Sequence, residues 1–155
     1  MDPVVRTFGE TFANIALARD WQGVHALLAP WLQSLLGPEQ VRAFFEDDYA
    51  AVLKESGVDE MQYPEVPYVS GNDSTLVELR TPSFGGPPPI PPEVTAENFR
   101  QWMKVQLQCS DEQADVLDFD YFTEVWLIVV AHEGGLRIGY WVHDPNAYVP
   151  PGPPQ

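Results

Sequence analysis

Apolar residues recur at steps of three and four through the first fifty positions and then change rhythm. Val4, Val5, Phe8, Phe12, Ile15 and Ala16 mark one face of a first helix, with Pro3 at an early position where a missing N–H costs nothing. Asp20 is a good N-cap for a second helical run, "DWQGVHALLAPWLQSLLG", which Pro30 should kink or divide. A third helix opens at Pro38 and closes at Gly57, with Val41, Phe44, Phe45, Tyr49, Val52 and Leu53 as its apolar stripe.

From Met61 onward short β-like segments are expected. "MQYPEVPYVS" and "STLVELR" flank a turn cluster of Gly71, Asn72 and Asp73. Pro64 and Pro67 cannot donate ladder hydrogen bonds, which sends the first segment to a sheet edge or outside the sheet. Residues 81–92, dense in Pro and Gly, read as an extended connector, with a service as ligand for an aromatic groove as the minor alternative. Thr95 then caps an expected helix over 95–108, with Phe99, Trp102, Met103 and Leu107 on one face. Ser110 and Gln113 have capping-box spacing and suggest a further short helix. The acidic run from Asp111 to Asp120 lacks the glycine and terminal glutamate of a calcium loop and reads as a solvated face. Residues 1–145 are expected to form a single α+β domain, followed by a Pro-rich mobile tail over 146–155.

The clearest signal is "EVWLIVVAHEGGLRIGYWVH", Glu124 to His143, two alternating strands around a glycine turn. With a two-residue loop at Glu133-Gly134 or Gly134-Gly135, Val125, Leu127, Val129 and Ala131 share a face with Leu136, Ile138, Tyr140 and Val142, and the helices pack there. The opposite face then holds Glu124, Trp126, Arg137, Trp141 and His143. A three-residue loop with a bulge, which "HEGGL" permits, would change this assignment. Aromatic residues rimmed by Arg, His and Glu suit association, so these five residues are the expected interface of a homodimer. Cover by the chain's own connector and a ligand surface are the alternatives.

Charge narrows the partners. Across 155 residues, eight basic side chains face twenty-three acidic ones, a formal charge of −15. Such a field disfavours nucleic acid and anionic membrane and is compatible with solubility or a basic protein partner. Cys109 is alone, which excludes an internal disulfide. The N-terminus lacks the basic start and apolar run of a signal peptide, and no stretch has the length to span a bilayer, so a cytoplasmic protein is expected.

His25, His132 and His143 have no metal-ligand spacing, no nucleophile-elbow or phosphate-cradle motif is present, and neither metal nor cofactor is expected. Glu124 and His143 could face one another as a proton-transfer dyad, with a structural pair the favoured reading. Trp31, Tyr49, Trp102 and Tyr140 are candidate linings for a small apolar pocket, each with an apolar body and a polar handle.

The order of elements from Val4 to Asp144, with "FANIALARDWQGVHALLAPWL" leading into "PEQVRAFFEDDYAAVL" and a Trp-bearing terminal hairpin, resembles the cone-shaped nuclear-transport-factor-like superfamily. Ketosteroid isomerases and SnoaL-type cyclases belong to it, along with many members without activity. The resemblance implies a cystatin-like roll: helices on a curved antiparallel sheet, a pocket between them, and dimerisation through the sheet. The isomerases' carboxylate base and tyrosine-acid pair have no residue-by-residue match here. A non-catalytic binding or interaction domain is therefore the leading expectation. A small-molecule isomerase, cyclase or hydrolase and an acidic, immunity-like inhibitor of a basic protein are the alternatives.

Overall fold

The computed structural model describes residues 1–46, 67–81, 90–108 and 122–143. Tyr49, the end of the third helix at Gly57, residues 82–89 of the connector, Cys109, the helix expected from Ser110, the acidic run to Asp120 and the tail lie outside the described residues.

Helix α1 (Pro3–Leu17) starts as its sequence requires: the Asp2 carboxylate accepts from Val4 N and Pro3 takes the first helical turn. Val5, Gly9, Phe12, Ala13 and Ala16 form its buried face, while Val4 stays outside. Arg19 ends it in a left-handed conformation at φ 55°. That strain is offset by placing its guanidinium on the buried Glu46 carboxylate, at 2.7 and 3.3 Å, and beside the Trp21 ring. Asp20 caps α2 (Trp21–Leu27) by accepting from Gly23 N. Pro30 divides the second run as expected: Leu28 and Ala29 are extended, and α3 (Pro30–Gln33) follows. The fourth helix, α4, is Pro38–Glu46.

Strands β1 (Tyr68–Asn72), β2 (Phe99–Gln108), β3 (Phe122–His132) and β4 (Gly135–Val142) form an antiparallel sheet in sequential order. The helices and this open sheet make an α+β fold. β1 sits at an edge, in keeping with the prolines before it.

Two segments depart from expectation. Residues 95–108 contain strand β2 rather than a helix. Met103, Val105 and Leu107 alternate into the core beneath the helices, and β2 is paired on both sides, with β1 and β3. The Thr95 cap exists, but its hydroxyl accepts from Asn98 N while Asn98 Oδ1 accepts from Thr95 N, closing a turn that launches the strand. Conversely, "STLVELR" is not β-like. It forms helix α5 (Leu76–Arg80), because Thr75 and Glu78 complete a capping box. Gly71 and Asn72 end strand β1 instead of forming a turn.

The hairpin turns at Glu133-Gly134, and His132 faces Gly135, as the two-residue loop requires. Five positions later the alternation breaks. Val129 pairs with Ile138 but Ile128 pairs with Tyr140, so Gly139 is an extra residue in β4. Beyond it the faces exchange. Trp141 joins Leu127, Val129 and Ile138 on the helix side, and Tyr140 turns outward to Trp102 and Ile128. The expectation of Tyr140 inward and Trp141 outward is thus reversed, while Leu127, Val129, Ile138 and Trp126 point as expected.

A methyl group on Gly139 would sit 2.7 Å from Val130 Cγ1 and 3.2 Å from Val94 Cγ2, with Trp31 close behind. Gly139→Ala is expected to lower stability by about 1–3 kcal/mol, measured by urea unfolding. An unchanged midpoint would show that the bulge has room to relax.

Candidate functional site

Between helices and sheet, the described residues set rings among aliphatic side chains. Phe12, Phe45 and Trp141 are buried there, Trp21 stacks on Phe45 at 5.1 Å between centroids, and Phe44 stacks on Trp141 at 4.3 Å. Phe44 also stacks on His143. The His143 Nδ1 lies 3.1 Å from the backbone oxygen of Glu124, and Nε2 meets the Phe44 carbonyl. The Glu124 carboxylate instead accepts from Trp126 Nε1 at 3.0 Å. No carboxylate-imidazole contact between Glu124 and His143 forms; the histidine ties α4 to the end of the hairpin through main-chain oxygens.

The outer sheet face is partly roofed by the chain itself. Leu76 and Leu79 of α5, with Ile90 and Val94, pack over Trp102, Ile128, Val130 and Tyr140. Arg80 fixes this roof by donating to the Pro91 and Val94 carbonyls, both at 2.7 Å. Trp102 and Tyr140, expected in a pocket, are buried beneath this roof, with Trp102 stacked on Trp126 and Tyr140. Trp31 sits at the sheet margin and donates to the Gly139 carbonyl at 2.9 Å. These three meet on the outer side; Tyr49 lies outside the described residues.

Of the expected interface residues, Glu124, Trp126 and Arg137 lie on the outer side and are half-buried. Trp141 is in the inner core, and His143 packs on Phe44. Away from the roof the outer face carries Lys104 between two rings, 5.8 Å from both Tyr68 and Trp126.

Open space remains at the rim. A groove of about 590 Å³ runs between α1 and the hairpin tip, lined by Val4, Thr7, Phe8, Thr11, Arg100, Ala131, Gly134, Gly135 and Leu136. Thr7 and Thr11 are four residues apart and so share a helix face. A second cavity of about 390 Å³ lies by the start of α5, bordered by Asp73, Ser74, Thr75, Leu76 and Arg100, among others. Sequence reasoning missed both, because their walls join distant segments. The exposed Val4 and the Gly134-Gly135 pair were visible, but nothing in the order of residues places them together.

Among the described residues no group of three His, Cys, Asp or Glu side chains is close enough to hold a metal ion, and no helix is long and apolar enough to cross a membrane. No family model, curated protein or solved structure matches this chain.

The Thr75 backbone N–H, with its hydroxyl, holds the Glu78 carboxyl below the usual carboxylate range. A lowered folded-state value means that this contribution to stability is present above the unfolded pKa and disappears as pH falls through the folded one. Thr75→Val removes the hydroxyl alone. It is expected to move the Glu78 titration upward, followed by NMR of its side-chain carboxyl, and to leave it below the ordinary range because the main-chain bond persists.

Proposed function

We propose that this chain is a non-catalytic binding domain with the cone-shaped, cystatin-like roll of the nuclear-transport-factor-like superfamily. It takes a small apolar ligand in the groove between α1 and the hairpin tip, and it dimerises through the unroofed part of the outer sheet face. One observation carries the binding reading: the groove at the rim sets Val4, Phe8 and Leu136 beside Thr7, Thr11 and Arg100, with no Asp, Glu, His or Cys among the described residues that line it. Such a groove offers burial without a proton donor or acceptor of suitable strength, which favours binding over an isomerase-type reaction.

The homodimer is supported by Trp126 and Tyr68 on the outer face, aromatic residues of the kind enriched at interfaces, with Lys104 held over both rings. A charge of −15 on each copy opposes this association, so screening should strengthen it.

Two measurements test the proposal. Titration of isotopically labelled protein with 1-octanol is expected to shift the amide resonances of Val4, Phe8 and Leu136. Shifts confined to other regions, or none, would overturn the ligand reading. Sedimentation is expected to show a dimer favoured by added salt and abolished by Trp126→Glu; a monomer at every salt concentration would remove the dimer.

A further inference from the structure

We propose that the groove recognises an amphipathic monocarboxylate, with Arg100 holding the carboxylate and Val4, Phe8 and Leu136 covering the apolar body. This deepens the reading of the groove as a ligand site and rests on it.

The chemistry of the walls selects the ligand class. In a chain with twenty-three acidic and eight basic side chains, no acid lines the groove among the described residues, and Arg100 is the one ionisable side chain among them. Arg100 Nη1 donates to the Glu97 and Phe99 carbonyls at 2.7 and 3.1 Å. These bonds fix the side chain at the irregular start of β2, where pairing shifts between Phe99 and Gln101. Its Nε and Nη2 groups have no hydrogen-bond partner among the described residues. A guanidinium carries five N–H donors in a planar fork that matches a carboxylate, so the fork is both anchored and able to donate.

Size and field sharpen this choice. About 590 Å³ falls within the range of small-molecule sites. One cation balances one anion, whereas a polyphosphate would bring several negative charges into the field of a −15 protein. The apolar walls provide burial for a hydrocarbon or aromatic body, and the Thr7 and Thr11 hydroxyls offer further donors. On the far wall, a side chain added at Gly134 would meet nothing within 4 Å, so the hairpin tip leaves the mouth open.

The test compares octanoate with 1-octanol, its neutral counterpart, by NMR titration of the full chain and of Arg100→Gln. Octanoate is expected to bind the unsubstituted protein at least about tenfold more tightly than octanol, the scale of a charge-assisted hydrogen bond. Arg100→Gln should bring octanoate down to the octanol level, with a far smaller effect on octanol itself. Val4→Asp, a substitution at a position 69% exposed and outside the core, should weaken both. If octanol binds and octanoate gains nothing over it, the carboxylate assignment is wrong and the groove remains a ligand site. If neither shifts Val4, Phe8 or Leu136, both readings fall. Octanoate-dependent shifts at Leu76 and Val77 instead would assign the anion to the second cavity and overturn the proposal.

Discussion

The extra residue at Gly139 is the constraint on which the two sides of this sheet depend. A strand that alternated without interruption would put Trp141 outside and Tyr140 inside. The bulge exchanges them, and the exchange is held from outside the sheet: Ala29 N donates to the Ile138 carbonyl at 2.8 Å, and the Trp31 indole donates to the Gly139 carbonyl. Leu28 and Ala29 can do this because Pro30 interrupts the helical run just before α3. A proline early in the chain and a glycine near its end thus act on one another. With Trp141 inside, α4 gains a ring for Phe44 to stack upon, and with Tyr140 outside, the roof from α5 and Val94 gains a floor.

Much of this was legible in order along the chain, and the failures have specific causes. Helices α1, α2 and α4 announced themselves by apolar spacing and by Pro3, Asp20 and Pro38. The hairpin was legible from alternation and its glycines. Strand β2 was not, because Trp102 beside Met103 breaks a clean alternation and creates an apparent helical face. In a central strand both faces are covered, so Trp102 and Met103 can both be buried on opposite sides. The period-two signal was present in Met103, Val105 and Leu107 against Lys104 and Gln106, with Trp102 masking it. Helix α5 was misread for the opposite reason: Leu76, Val77 and Leu79 favour neither state strongly, and the Thr75–Glu78 pair decides it.

The sites were less legible than the elements. A residue can be assigned to a face when its neighbours in sequence define that face, but a cavity is bounded by segments that meet only after folding. Trp102 and Tyr140 suit a pocket lining by composition, and the cover that α5 and Val94 give them comes from distant segments. Arg100 attracted no notice because it sits within a stretch expected to be helical. Only the irregular pairing at the start of β2 brings it to the margin of both cavities.

The bonds that Ala29 and Trp31 make to β4 also bear on how copies of this chain could grow together. A sheet with two free margins can recruit strands in succession and extend without limit. Here one margin is occupied by the helical layer, leaving β1 as the side on which the described sheet could gain a strand. Among the described residues, margin-to-margin joining would then use the one uncovered side of each sheet and stop at two, which works against fibrous assembly.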